Sequence, residues 1–326
     1  DAPSPPKAEW IRLHWEQTRR QGDGALLIID EIQKVPGWSE QVKILFDEDR
    51  GTRDIKIVLL GSSALYLQRG LSESLAGRFE LLEAHHWSLK EFEEAFGWDF
   101  EKYFHFGAYP GTVGFADDED RWRHYVLNSI IEPVLGKDIL ALHPINNPAL
   151  FRQTFELAVQ YPAQIISLQK MLGQLQDRGN AATIKNYLTL LEKSFLIKVL
   201  QKFSGAVIQT RASSPKIIVL NPALTHAYQT TRRLDTDSSW RGFMMESLVG
   251  AHLLRQPNTE IFYWRDGQAE VDYILKSPEG LLALEIQSGT RRKTNGLAAF
   301  SKQHPQARCE SWNFQRCLEF MKTGNL

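Results

Sequence analysis

The chain has 326 residues, 43% of them hydrophobic, which is more than one compact core holds and predicts two or three domains. Its 38 basic and 39 acidic side chains nearly cancel, which excludes a chain-wide electrostatic signature of nucleic-acid binding and leaves any basic surface local. Two cysteines, Cys309 and Cys317, fit neither a disulfide framework nor a zinc knuckle, and no run nears the roughly 18 apolar residues of a membrane helix, so a reducing cytoplasm and no membrane partner are expected.

The opening Asp1-Ala2-Pro3-Ser4-Pro5-Pro6 reads as a loop with no leader and no Met, and upstream residues are expected to be missing. Residues 10–20 have helical character, with Trp10, Leu13 and Trp15 as candidate core positions. The apolar run Ala25-Leu26-Leu27-Ile28-Ile29, bounded by Gly24 and Asp30-Glu31, predicts a buried parallel strand. Pro36-Gly37-Trp38 turns the chain, a helix follows through Val42, Leu45 and Phe46, and a second buried strand over 55–60 ends in Gly61-Ser62-Ser63. Strand, helix, strand predicts a parallel α/β sheet, whose ligands sit at the carboxyl ends of its strands, where Asp30, Glu31, Ser62 and Ser63 fall.

Nucleotide hydrolysis needs one carboxylate to hold hydrated magnesium and a second to polarise the attacking water. Asp30 and Glu31 leave the strand in different directions and are candidates for these two roles. Ser62 or Ser63 is placed to sense a γ-phosphate or orient that water. The plainer readings are a strand ending in solvated acids and an ordinary turn of small residues.

Leu27-Ile28-Ile29-Asp30-Glu31-Ile32-Gln33-Lys34-Val35-Pro36-Gly37-Trp38 resembles the Walker B segment of prokaryotic AAA-superfamily P-loop ATPases. Gly61-Ser62-Ser63 resembles their sensor-1 tip, Ser74-Leu75-Ala76-Gly77-Arg78-Phe79 their next motif, and Leu89-Lys90-Glu91-Phe92 the segment after it. Order and spacing match, and the resemblance covers nearly the whole chain. It implies ATP and Mg2+, and it makes Arg78 a candidate γ-phosphate contact, against the reading of a salt-bridged surface arginine. It also implies a homo-oligomer as one expected partner, because such ATPases often place an arginine across an interface. No Gly-x-x-x-x-Gly-Lys-Ser/Thr occurs in the sequence, and Gly22-Asp23-Gly24 precedes the wrong strand and lacks the Lys. The phosphate loop is expected on a lost upstream segment; the alternative is a degenerate family member.

Residues 88–138 read as helical, interrupted by Tyr109-Pro110-Gly111, and 147–203 as helical again. Within the second stretch, 167–175 reads as a helix, Asp177-Arg178-Gly179-Asn180 as a turn, and 181–194 as a second helix with Ile184, Tyr187, Leu188 and Leu191 on one apolar face. A strand over 196–200 completes a winged-helix arrangement, which the family also places here. The functional reading is DNA contact through Lys185, Asn186 and Lys193; the alternative is a winged helix that packs or docks a protein partner.

Short strands then dominate, over 217–220, 261–264, 271–275 and 281–286, with linkers expected near 143–148 and 230–239. Glu246 lies on a helix over 240–248, Asp272 in a strand, and Glu285 and Gln287 on one face of the next. Asp272 is placed to meet them and Glu246 to lean in, so Asp272 and Glu285 are candidate magnesium ligands for phosphodiester cleavage. The pattern resembles the restriction-endonuclease-like fold, whose motif is an Asp followed by Glu-x-Lys, and the carboxyl-terminal domain usual in this ATPase family. Gln287 stands where that Lys would be and carries no charge. Arg291-Arg292-Lys293 either compensates, contacts phosphate or forms a solvated loop.

The expected fold class is α/β: an AAA-type ATPase core lacking its Walker A segment over 1–97, a helical lid or linker over 98–146, a winged helix over 147–229 and a restriction-endonuclease-like domain over 230–326. The expected function is an ATP-driven switch coupled to DNA or a protein partner. The alternatives are a magnesium-dependent nuclease-like protein, inactive for want of the Lys, and a binding module without chemistry.

Overall fold

A computed structural model describes residues 7–61, 74–139, 145–175, 179–204, 213–228, 237–287 and 295–326. Ser62, Ser63, His143, Pro144, Asp177, Arg178 and the Arg291-Arg292-Lys293 cluster lie outside the described residues. The chain divides into two compact units, 1–84 and 85–326.

In the first unit, α1 (Ala8–Arg19) precedes β1 (Leu26–Ile29), α2 (Trp38–Asp49) and β2 (Lys56–Leu59). The two strands pair in parallel with Ile29 opposite Leu59, as the strand–helix–strand pattern predicts. Ile11, Trp15 and Thr18 form the buried stripe of α1. Trp10 and Leu13, expected in the core, are exposed, because they lie off the stripe that Trp15 defines. The strands are buried on one face only. Leu26, Ile28, Val58 and Leu60 on the other are between 41% and 56% exposed, where a continuous apolar run predicts cover on both. Charge joins the ends of the helices: the Trp15 indole donates to Asp49 at 2.7 Å, and the Arg19 guanidinium meets Asp49 and Glu48, each at 2.9 Å. The buried Asp49 carboxylate is therefore paired, as burial of a charge requires.

The second unit starts with α3 (Leu89–Phe96), α4 (Phe100–Phe106), a 3-10 turn (Pro110–Phe115) at the expected interruption, and α5 (Glu119–Tyr125), which runs on in wider turns to Asp138. Next come α6 (Pro148–Val159), β3 (Gln164–Ile165), α7 (Leu168–Leu172), α8 (Ala181–Lys193), β4 (Ile197–Leu200), β5 (Lys216–Val219) and α9 (Pro222–His226). Last are α10 (Ser238–Leu253), β6 (Glu260–Asp266), β7 (Ala269–Ser277), β8 (Gly280–Ile286), α11 (Gly296–Gln303), β9 (Arg308–Trp312) and α12 (Phe314–Thr323). The helix starts are written in the sequence: Ser88, Asp99, Asp118, Asn147, Ser167, Asn180 and Asn313 each accept a hydrogen bond from the backbone N–H three residues on.

One three-stranded antiparallel sheet has the order β3-β5-β4, and a four-stranded sheet the order β6-β7-β8-β9, antiparallel except for β8 and β9. A bridge between Lys202, just past β4, and Tyr263, within β6, links the two sheets. One buried cluster runs from Leu89, Phe92 and Trp98 to Met244, Tyr273 and Trp312. Residues 85–97 thus fall in the second compact unit. A second cluster holds the apolar face of α8, Ile184, Tyr187, Leu188 and Leu191, against Phe151, Phe155 and Ile217. No described helix is long and apolar enough to cross a membrane.

Gly107 ends α4 at φ +79° and ψ −169°, a region essentially closed to other residues. A Cβ there would meet Asn221 Oδ1 at 2.4 Å and the Ala223 nitrogen at 2.5 Å. Asn221 is fully buried, and its Oδ1 accepts from Ala108 N at 2.9 Å and Ala223 N at 3.1 Å. Gly107→Ala is expected to lower the melting temperature of this unit by roughly 5 °C or more, read by calorimetry; an unchanged transition refutes the close approach.

His226 and His252 are buried, and desolvation pushes both down to about 4, against backbone hydrogen bonds to His105 and Leu248 that raise them. The folded state thus keeps both neutral while the unfolded chain takes up protons below the ordinary value of 6.5. Their contribution to stability is complete above that value and declines as pH falls from 6.5 towards 4. His252→Leu should flatten melting temperature against pH in this window relative to the unaltered protein. Parallel curves would show that His252 is not held neutral.

Candidate functional sites

The β1 tip is built by a change of backbone hand. Glu31 adopts φ +55° and ψ +39°, a left-handed conformation uncommon outside glycine, which turns the chain sharply off the strand. Its N–H donates to Asp30 Oδ1 at 2.9 Å, and Ile32 N donates to Leu60 O at 3.1 Å, so the ends of β1 and β2 stay together. Asp30 points to solvent. Glu31 is half-buried, accepts from Gln33 Nε2 at 2.6 Å and lies 3.5 Å from Lys34 Nζ. The two acids thus diverge at the carboxyl end of a parallel strand, one solvated and one steered by neighbours. An exposed carboxylate suits a magnesium ion that keeps its water, so these residues fit the ion that the family resemblance implies.

Arg78 is engaged elsewhere. Its guanidinium grips the Asp47 carboxylate in a two-pronged pair at 2.8 and 3.1 Å and also donates to Ala76 O. The pair holds Asp47 below the usual carboxylate range and raises Arg78.

In unit 2, three carboxylates converge, and the residue at their centre was missed by sequence reasoning. The Lys216 ammonium, at the start of β5, lies 2.5 Å from Glu246 Oε1 on α10, and 3.7 Å from Asp272 Oδ1 and 3.9 Å from Glu270 Oε1 on β7. It also donates to Asp272 O at 3.1 Å and stands 5.1 Å from the centre of the Tyr273 ring. Lys216 is 0% exposed, Glu246 2% and Asp272 8%. Desolvation pulls the Lys216 pKa down, but Glu246, Asp272 and Glu270 outweigh it, and the net shift is upward, so the ammonium stays charged.

A β-bulge aims these groups. Between the pairs Trp264–Val271 and Phe262–Ile274, β6 has one residue, Tyr263, whereas β7 has two, Asp272 and Tyr273. Asp272 and Tyr273, which strict alternation would set on opposite faces, therefore both approach Lys216. Asp272 Oδ2 accepts from Ile286 N at 2.8 Å, and Tyr273 OH donates to Glu246 O at 2.7 Å. Glu285 pairs in register with Ser311, whose hydroxyl accepts from the Gln287 amide at 2.8 Å. Glu285 and Gln287 thus share the β8 face that carries Ser311. Asp272 thus approaches Lys216 through Oδ1, while its Oδ2 reaches the β8 backbone between Glu285 and Gln287. Among the described residues, no group of three or more His, Cys, Asp or Glu is arranged to hold a metal ion. The available signal for Lys216 was a lysine opening the run Lys216-Ile217-Ile218-Val219-Leu220, a charge where a buried strand begins.

On α8, Lys185, Asn186 and Lys193 are exposed, opposite the buried apolar face. Glu192 beside them is paired with Lys198 at 2.7 Å.

Residues 6–93 match the family described as an AAA domain, 97–236 a domain of unknown function (DUF8612), and 241–318 another (DUF4143). Uncharacterised proteins of Mycobacterium tuberculosis and Mycobacterium bovis are each 26% identical over 282 residues, covering 83% of this chain and 60% of theirs. One of Haemophilus influenzae is 25% identical over 289 residues, covering 83% of this chain and 68% of its own. The chain thus spans 60% of the length of the mycobacterial relatives. The Walker-type ATPase of Pyrococcus abyssi superposes with a TM-score of 0.44 at 16% identity, over 68% of this chain and 67% of that one, an overlap too low to carry argument. The AAA-domain match falls on the segment whose β1 ends in Asp30 and Glu31, and the DUF4143 match on the segment holding Glu246, Glu270 and Asp272. The chain thus carries an AAA-superfamily domain over 6–93 and a DUF4143 domain over 241–318.

Proposed function

We propose that the natural protein hydrolyses ATP at the β1 tip and uses that cycle to switch the contacts of unit 2 with DNA. The observation that carries the reading is the divergent Asp30–Glu31 pair, with Glu31 held left-handed at the strand end. Strain of this kind persists where surrounding structure over-determines it, and it clusters at functional sites. Magnesium would neutralise charge on the phosphates. Asp30 would bind its water shell, and Glu31 would orient and deprotonate the attacking water. Ser62 or Ser63 would sense the γ-phosphate. Arg78 would have to leave Asp47 to reach a phosphate, and an exposed pair of this kind is held weakly. A loop to cradle the phosphates does not occur in these 326 residues, so the natural protein in its full length is the material to test.

We read 147–229 as a winged-helix domain, supported by the order α6-β3-α7-α8-β4-β5 and the β3-β5-β4 sheet. Lys185, Asn186 and Lys193 on the exposed face of α8 would meet the DNA. A homo-oligomer and a protein partner are the further associations that this reading admits.

Glu31→Gln is expected to leave ATP affinity within about threefold and to lower kcat by at least about 100-fold, the lower end for a lost general base. Steady-state hydrolysis together with nucleotide titration separates the two, and unchanged kcat rejects Glu31 as the base. For DNA, fluorescence anisotropy across a salt series is the measurement. Lys185→Ala with Lys193→Ala should reduce the slope of log K against log salt by about 2, one per phosphate contact. A slope the substitutions do not alter removes α8 from the interface.

A further inference from the structure

The likeness to restriction endonucleases implies a magnesium ion among the unit 2 carboxylates, and the residues present do not fit one. Magnesium takes oxygen ligands at about 2.0–2.1 Å in a near-octahedral shell and usually keeps several waters. The point where Glu246, Glu270 and Asp272 converge is taken by Lys216 Nζ, at 2.5, 3.9 and 3.7 Å. Neither the ammonium nor the Glu246 carboxylate meets solvent. Asp272 is used twice more: its Oδ2 accepts from Ile286 N and its carbonyl accepts from Lys216. The cation that Gln287 fails to supply from β8 thus arrives from β5 and goes to the centre of the cluster, where it leaves no room for hydrated metal.

We propose that Lys216 is the resident cation of this centre: its ammonium stands where a nuclease-like domain would hold a divalent metal, and unit 2 binds none at Glu246, Glu270 and Asp272. An internal cation cannot activate water as a metal does, but it does not dissociate. It ties β5, in the sheet packed on α8, to α10 and β7 of the DUF4143 segment. The Ser247 hydroxyl adds a neutral link between the same elements, accepting from Val219 N at 2.9 Å and donating to Val219 O at 3.2 Å. The centre is a lock between two halves of unit 2, independent of whether unit 1 hydrolyses ATP.

The test is manganese binding to the natural protein without nucleotide, followed by electron paramagnetic resonance, with the melting temperature after chelation as a second readout. Wild type and Asp272→Asn should bind the same number of manganese ions, because nothing binds at Asp272. Lys216→Met should melt lower, gain one manganese site per chain, and lose it again when combined with Asp272→Asn. Added manganese should recover part of the lost melting temperature in Lys216→Met alone. A wild-type site that disappears in Asp272→Asn overturns the proposal, as does a folded Lys216→Met protein that gains none. If Lys216→Met does not fold, the comparison of wild type with Asp272→Asn still decides.

Discussion

A single ammonium group, that of Lys216, sets the arrangement of unit 2. Its removal from water is unfavourable and is offset because Glu246, Asp272, Glu270 and a backbone carbonyl surround it. Those partners belong to different parts of the chain, so the charge is satisfied only when β5, α10 and β7 sit together. Apolar packing does not impose that condition, since it tolerates repacking and small shifts. The bulge at Asp272 and Tyr273 is part of the same constraint, because it lets neighbouring residues on β7 face one centre. The cap at Ser88 and the packing of Leu89 and Phe92 then bring the segment before α4 onto this body. The boundary between units falls at 84/85 for that physical reason.

Unit 1 depends on a smaller set of interactions. Asp49 at the end of α2 takes the Trp15 indole and the Arg19 guanidinium, which fixes α1 against α2 and covers one face of the two strands. Leu26, Ile28, Val58 and Leu60 line the other face and remain exposed among the described residues. Apolar residues on both faces are what a parallel sheet covered on both sides requires, so the sequence of β1 and β2 is written for more cover than these residues provide.

Much of this was legible in the sequence. The strand–helix–strand of unit 1 rests on two short apolar runs with turn residues between them, and both strands form within a residue of the expected spans. The face of α8 followed from a helical repeat of four apolar residues. What could not be read has specific causes. Trp10 and Leu13 are apolar but off the stripe, and composition does not show which stripe faces the core. Strand β3 is two residues long and exists only because β5 lies beside it. The role of Lys216 could not be read, although its place at the head of an apolar run could, because its partners lie 30 to 56 positions later in the chain. The approach of both Asp272 and Tyr273 to one centre was not legible either, because alternation assumes a regular ladder, and a bulge is set by the pairing strand rather than by its own sequence.

Two carboxylate groups in one chain thus meet opposite fates, and exposure separates them. Asp30 stands in water at a strand end, where a ligand can be exchanged at little cost and the acid suits a cycle of binding and release. Glu246 and Asp272 lie beneath the surface with a permanent counter-ion, where exchange would strand a buried charge. Removing one partner of such a pair is expected to destabilise the fold by about 3–5 kcal/mol, several times what a solvated pair contributes. The same residue type, a carboxylate beside apolar chain, is therefore open to exchange in one unit and fixed in the other. A motif read from residue identity alone cannot tell these apart. The deciding quantity is whether a cation at that point can leave.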